Sequence, residues 1–250
     1  MKQHSKLHQV IVGMIGLSLV LPSLAFAEDT SGGVKTRANF CTMLDTRAER
    51  VASGITEREG KYTEKRGERA TKLDERFKTR DITRTEHRAG WDTHRDEWIT
   101  KLNAKATTTL QKAAVTKFVA DIDAAVLARR TAVDAAVTAF RTAINSTIKD
   151  RQASVDAAIA TFKSDTSAAL TKAKADCAAG VTPKTVRDTY VAALKAAREK
   201  LAQTLKSIEK RQDTLKPIAE ARKQAVAKAV ADFKAAVEKA KTELKSAMKQ

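Results

Sequence analysis

The sequence predicts an all-α protein, specifically an elongated antiparallel three-helix bundle or coiled coil, and three observations lead to that prediction. An 11-residue rhythm of apolar residues recurs, seen as a 22-residue echo between QKAAVTKFVADI (111–122), VDAAVTAFRTAI (133–144) and VDAAIATFKSDT (155–166). The composition is rich in Ala and Lys and only 4% aromatic, which suits narrow helix–helix seams better than a thick globular core. Only three Pro and nine Gly occur among 250 residues, so long helices can run with few interruptions.

The N-terminal segment 1–27 is predicted to be a cleaved secretory signal peptide rather than part of the fold. A basic start and an apolar run from Val10 to Leu21 precede Ala25-Phe26-Ala27, which has the small-x-small form of a signal-peptidase site. The apolar run is shorter than the ~20 residues that a transmembrane helix needs. We therefore expect an exported protein (periplasmic, cell-surface or secreted) with a single mature domain, 28–250, that has no transmembrane segment.

The first predicted helical arm covers about 36–106. Its apolar stripe steps by 4, 4 and 3 residues through Phe40, Leu44, Ala48, Val51, Ile55, Glu59, Tyr62, Arg66, Ala70, Leu73 and Phe77. The stripe fades between Arg80 and Glu97, where Gly90 offers an alternative position for a turn or a kink. The arm is expected to end at Thr107–Thr109, because Thr108-x-x-Gln111 has the form of a capping box.

The second predicted arm, about 109–179, carries the clearest repeat. Its stripe runs through Val115, Phe118, Ile122, Val126, Arg129, Val133, Val137, Phe140, Ile144, Ile148, Arg151, Val155, Ile159 and Phe162. Eleven residues in three turns favour a nearly straight or slightly right-handed coil rather than a left-handed one. Arg129 and Arg151 occupy stripe positions, where each either extends its guanidinium to the edge of the seam or forms a register-setting ion pair with another arm.

The third predicted arm, about 183–249, follows the turn signal Gly180-Val181-Thr182-Pro183. Gly suits the left-handed position after a helix, Thr can cap the next helix, and Pro suits its first position. The apolar rhythm drifts in phase between 208 and 226, and Pro217 predicts a kink there. Arms of about 65–70 residues would each be about 100 Å long at 1.5 Å per residue.

Cys41 and Cys177 are the two cysteines of the chain, and they support the same topology. A hairpin that turns near residue 109 places them side by side, whereas a turn at Gly90 would place them far apart. Export permits a disulfide, so we predict one between them. The alternative is two free or intermolecular thiols.

The segment EHRAGWDTHRDEW (86–98) is the cluster that most resembles a site. His87 and His94 are seven residues apart, share a helix face and are the metal-ligand candidates. Metal motifs of high specificity place ligands three or four residues apart and add a third group, so the pattern favours a solvated polar face. No phosphate loop, serine elbow or Cys–His pair occurs, and we predict no enzyme activity and no cofactor.

The chain is basic, with 47 Lys and Arg against 30 Asp and Glu. Removal of Lys2 and Lys6 with the segment 1–27 leaves 45 against 30, a net charge of +15, and the excess grows toward the C-terminus. The charge predicts a protein partner or an acidic envelope surface, and self-association into a homo-oligomer stays open. Nucleic-acid binding is disfavoured because the Lys residues are not interleaved with aromatic residues.

Three functional classes follow from these features. The first, which we favour, is an exported structural or interaction protein, a rigid helical rod for tethering, spacing or assembly at the cell envelope. The second is a basic periplasmic holdase chaperone, similar in charge and composition to the trimeric chaperones with helical tentacles, although no segment here could form their β-core. The third is a lipid- or polyanion-binding protein, since the 11/22 rhythm resembles that of exchangeable apolipoproteins.

The segment KADCAAGVTPKTVRDTYVAALKAAR, with the Ala- and Lys-rich composition of the whole mature chain, resembles secreted, coiled-coil-like helical proteins of bacteria that belong to no characterised family. This resemblance implies a helical fold and export. It implies no activity and no site residues.

Overall fold

The computed structural model describes residues 40–210 and 214–249, and over those ranges the chain is helical and contains no strand. The all-α prediction is therefore confirmed, and the predicted signal peptide, 1–27, lies outside the described residues. The described chain forms four helices: α1 (Leu44–Lys105), α2 (Thr109–Ala178), α3 (Pro183–Lys210) and α4 (Leu215–Ala247).

The connection between α1 and α2 lies at the predicted turn and has the predicted capping box. The backbone N–H of Gln111 donates to Oγ1 of Thr108 at 3.1 Å, and the N–H of Thr107 donates to Oε1 of Gln111 at 3.0 Å. These two bonds satisfy backbone donors that a helix start otherwise leaves unpaired. The alternative turn at Gly90 is wrong, because α1 continues through that residue to Lys105.

The end of α2 has the geometry that Gly180 predicts. Its φ of 76° lies in the left-handed region, which a residue with a Cβ rarely adopts. The N–H of Gly180 donates to the carbonyl of Cys177 at 3.1 Å, and the N–H of Val181 donates to that of Asp176 at 3.0 Å. This pair of bonds is the Schellman arrangement, which satisfies carbonyls that the helix end leaves free.

The predicted third arm consists of two helices. α3 starts at Pro183 as expected, with the N–H of Thr185 donating to Oγ1 of Thr182 at 3.4 Å. It ends at Lys210, and α4 starts at Leu215. Pro217 lies in the first turn of α4, where a helix tolerates the missing N–H, and residues 211–213 between the two helices lie outside the described residues.

Contacts divide the chain into two compact units. Unit 1 comprises Met1–Ala70 and Ile148–Asp213, and its described part contains the start of α1, the end of α2, and α3. Unit 2 comprises Thr71–Thr147 and Thr214–Gln250, and its described part contains the rest of α1 and α2, and α4.

The core of unit 1 joins side chains of three helices. One cluster contains Phe40, Leu44, Ala173, Val186, Tyr190 and Leu194, and a second contains Val155, Ala158, Leu201, Leu205 and Ile208. The rings of Phe40 and Tyr190 lie 6.2 Å apart between centroids. Each fully buried aliphatic side chain contributes about 1.5–3 kcal/mol, so α3, which supplies most members, is held mainly by apolar contacts.

The core of unit 2 has its main cluster between α2 and α4. The cluster contains Phe118, Ile122, Val126 and Ala240, and Leu102, Phe233, Val237 and Leu244 pack against it. Leu244 of α4 thus packs against the cluster that contains Phe118 of α2. The ring of Trp98 on α1 lies 5.4 Å from that of Phe118 on α2, which adds α1 to this core.

Candidate functional site

Helix α1 carries charged side chains at about half of its inward positions, and every half-buried position from Asp81 to Arg95 is charged. Leu44 is the one buried residue within α1, and the rest of its described inward positions are only half-buried. Several of these are Asp and Arg residues. Between Asp81 and Arg95 the contact of α1 with α2 therefore depends on polar pairing more than on apolar packing.

Ion pairs join α1 to α2 within both units, and we call this set the ion-pair ladder. In unit 1 it consists of Asp45–Lys174 at 2.5 Å, Glu59–Lys163 at 2.6 Å and Arg66–Asp156 at 2.7 Å. In unit 2 it consists of Asp81–Arg141, Arg84–Asp134 at 3.3 Å, Arg88–Asp134 at 2.9 Å, Asp92–Arg130 at 2.6 Å and Arg95–Asp123 at 3.0 Å.

Arg66 is the best-anchored member in unit 1. Its Nη1 and Nη2 donate to the two carboxylate oxygens of Asp156 at 3.0 and 2.7 Å, and Nη2 also donates to the carbonyl of Gln152 at 3.3 Å. Its guanidinium carbon lies 3.9 Å from the ring centroid of Tyr62. The planar guanidinium is thus fixed both by a two-bond fork and by stacking, a geometry that Lys could not reproduce.

Two aspartates carry the ladder in unit 2. Arg88 donates to both oxygens of Asp134 at 2.9 Å, and this hydrogen-bonded charge lowers the pKa of Asp134 below its usual range against the opposing effect of burial. Nη1 and Nη2 of Arg141 likewise donate to the two carboxylate oxygens of Asp81, and this hydrogen-bonded charge lowers the pKa of that carboxyl. These groups stay ionised at neutral pH, so they are suited to holding helices and poorly suited to general acid–base catalysis.

The predicted metal-ligand candidates do not share partners in the structure. His87 and His94 are both exposed on α1, and Nδ1 of His94 lies 3.9 Å from the carboxylate of Glu97. Asp92, the carboxylate between them, is directed to Arg130 of α2. Among the side chains that the structure describes, no group of three or more His, Cys, Asp or Glu residues is arranged to hold a metal ion.

The segment 86–98 instead contributes aromatic anchors to unit 2. The ring of Trp91 meets that of Phe233 on α4 edge-on at 6.4 Å, and Trp98 packs on Phe118. The guanidinium carbon of Arg129, an exposed residue, lies 5.1 Å from the ring centroid of Phe233. This position agrees with the prediction that Arg129 extends its guanidinium to the edge of the seam. The ion pair to α1 is made by the neighbouring residue, Arg130.

The predicted disulfide is confirmed. Cys41 and Cys177 are bonded, with their Cα atoms 5.9 Å apart and a separation of 136 positions in sequence. Cys177 packs against the cluster of unit 1 that contains Phe40 and Leu44. The bond therefore fixes the start of α1 to the end of α2, beside the first ion pair of the ladder.

A groove between α2 and α3 in unit 1 offers a cavity of about 230 Å³. Its lining includes Ala158, Thr161 and Leu201, with the ion pair between Lys200 and Asp165 beside them. This volume lies below the roughly 300–1,000 Å³ that is usual for small-molecule sites. The small cavity and the ion-pair ladder together indicate that the main polar interactions of the described chain attach one helix to another.

No helix in the described ranges is both long enough and apolar enough to cross a membrane. The chain matches no protein-family model, no curated protein and no solved structure.

Proposed function

We propose that this chain is an exported structural or interaction protein, a rigid helical rod that tethers, spaces or assembles components at a cell envelope. The observation that carries the proposal is the ion-pair ladder, which together with the disulfide attaches α1 to α2 at many points. Most of the half-buried charges of α1 are used to attach one helix to another. Attachment of this kind is expected in a protein that must resist bending.

The finer architecture that we propose is an antiparallel three-helix bundle with an 11-residue repeat. Two of its arms are α1 and α2, and α3 and α4 together form the third. The half-buried positions of α1 support the repeat, because they continue the 4, 4, 3 spacing beyond Phe77 through Asp81, Arg84, Arg88, Asp92, Arg95 and Ile99. A strict 11-residue spacing keeps one helix face directed at its partners over many turns.

Export is supported by two independent features. The segment 1–27 has the basic, apolar and small-residue parts of a secretory signal. The disulfide suits an oxidising compartment outside the cytosol. Sequencing the N-terminus of the exported protein tests this part, and we expect it to begin at Glu28; an intact Met1 would contradict it.

Small-angle X-ray scattering of the mature protein tests the rod. Arms of about 100 Å predict a radius of gyration near 30 Å, whereas a compact domain of the same length would give about 17 Å. The C41S/C177S variant is the matched control, since it keeps every helix and removes only the covalent link. A value near that of a compact domain for the oxidised protein would refute the rod.

The partner is tested separately by capture of the oxidised protein with envelope fractions at two salt concentrations. A protein partner that binds the apolar or shape-specific features of the helices should stay bound at high salt. The second candidate function is binding of an acidic envelope surface, which the net charge favours. In that case capture should fall steeply between low and physiological salt.

A further inference from the structure

One end of unit 2 brings together the end of α1, the start of α2 and the end of α4. The rings of Trp98 on α1 and Phe118 on α2 lie 5.4 Å apart between centroids, and Leu244 of α4 packs against the cluster that contains Phe118. Nζ of Lys117 on α2 lies 2.6 Å from the carboxylate of Glu243 on α4. We call this surface the basic end, and it comprises residues 98–120 and 239–249.

The basic end carries eight lysines against one acidic residue, Glu243. Lys117 already occupies that carboxylate, and Lys241 pairs with Glu238 at 2.9 Å. Within the part of the chain that the structure describes, the other six have no carboxylate within 4.0 Å: Lys101, Lys105, Lys112, Lys239, Lys245 and Lys249. All six are exposed, so their charges are available to a partner outside the chain.

Two large apolar side chains are exposed at the same end. Trp98 is 47% exposed although its ring packs on Phe118, and Leu110 is 67% exposed. Leu110 lies in the first turn of α2, so it is beside the connection to α1. Exposed apolar side chains together with lysines are the combination that binds the headgroup region of an anionic membrane. Trp in particular favours that depth, because its ring is apolar while its N–H stays hydrated.

We propose that the basic end of unit 2 docks on the anionic phospholipid surface of a membrane. Trp98 and Leu110 enter the headgroup region, and lysines of all three helices contact the lipid phosphates. Charge complementarity selects this partner, since each lysine near such a surface strengthens binding by roughly fivefold. The two apolar side chains add attraction that salt does not screen. This inference rests on the second candidate function, binding of an acidic envelope surface, and names the lipid and the part of the chain that contacts it.

Sedimentation with vesicles of phosphatidylglycerol and phosphatidylcholine in equal amounts tests the charges, with phosphatidylcholine vesicles as the uncharged reference. The K101Q/K105Q/K112Q variant should bind the anionic vesicles at least ~tenfold more weakly than the wild type. The matched control is K65Q/K72Q/K78Q, which removes the same charge from three exposed lysines of α1 that also have no described carboxylate within 4.0 Å. Lys78, the nearest of these, precedes Trp98 by 20 residues, about 30 Å along the helix, which exceeds the Debye length. The control should therefore bind within about twofold of the wild type.

Tryptophan emission tests whether this end enters the membrane surface. Trp91 and Trp98 are the two tryptophans of the chain, and the W91F and W98F variants each leave one of them as the reporter. With the anionic vesicles, the emission of W91F, which comes from Trp98, should shift to shorter wavelength. The emission of W98F, which comes from Trp91, should shift much less. Circular dichroism at 222 nm checks that every variant keeps its helices.

The outcomes separate this inference from the proposed function. Equal weakening of both triple variants would show diffuse attraction to a basic chain and refute this surface, while the second candidate function would stand. Emission from Trp98 that does not shift would refute docking through this end. Absence of binding to the anionic vesicles would overturn the proposal, and capture of envelope proteins by the same protein would then indicate a protein partner. The radius of gyration, which tests the rod, does not depend on any of these results.

Discussion

Removal of the disulfide should cost the protein a large part of its stability. The bond closes a loop of 136 residues between Cys41 and Cys177, and the chain-entropy model gives a loss of at most about 5 kcal/mol for a loop of this length. Domains of this kind have a total unfolding free energy of roughly 5–15 kcal/mol. The C41S/C177S variant should therefore be folded but much closer to its unfolding midpoint at 25 °C.

Urea unfolding followed by circular dichroism at 222 nm measures the loss. The wild-type protein treated with a reductant should show the same lowered midpoint as C41S/C177S, and the reductant should leave that variant unchanged. Hydrogen exchange should locate the effect at the first turns of α1 and the last turns of α2, where the bond lies. An unfolding free energy that stays within about 1 kcal/mol of the oxidised protein would refute the reasoning, because the loop-closure argument would then have no measurable consequence.

Three further predictions concern the ladder and the core. The D134A variant leaves Arg88 without the carboxylate that accepts its two hydrogen bonds, and urea titration should show an unfolding free energy lower by about 1 kcal/mol. The control is D232A, at an exposed pair within one helix, which should cause no measurable change in the same titration. The pKa of Asp134 is lower in the folded protein than its ordinary value of 3.8, so its contribution to the unfolding free energy is fully present above pH 3.8 and is lost as the pH falls through the folded-state pKa. The urea midpoint should therefore decrease below about pH 4. A midpoint that is flat from about pH 6 to about pH 2 would contradict this. L194A, at a side chain only 2% exposed, should cost about 2–5 kcal/mol, and thermal unfolding should show L110A, at a side chain 67% exposed, within about 0.5 kcal/mol of the wild type.

The helix ends could be predicted from the sequence because their signals are local. Thr108 and Gln111 form a capping box three residues apart, and Gly180 ends a helix through its own backbone conformation. The disulfide could be predicted as well, since a hairpin turn near 109 brings Cys41 and Cys177 together. Each of these features depends on residues close in sequence or on simple symmetry about one turn.

The ladder in unit 2 could not be predicted in the same way. Asp81, Arg88 and Asp92 look like solvated residues to any hydropathy measure, and their partners lie 38 to 60 residues further along the chain. A signal was nevertheless present, because continuing the 4, 4, 3 spacing past Phe77 reaches these residues. Their burial between helices is possible only because α2 presents opposite charges at the matching positions.

The glycines of α1 have a consequence for the order in which the helices form. Gly54, Gly60, Gly67 and Gly90 lie within α1 with open space where a Cβ would be, so packing does not require any of them. Each makes the helix about 1 kcal/mol less favourable than Ala would, and α2 contains no glycine. We therefore expect α2 to become helical before α1, which becomes ordered as its charges meet those of α2. The ladder residues of α1 should accordingly have φ-values near zero, below those of the core residues of α2.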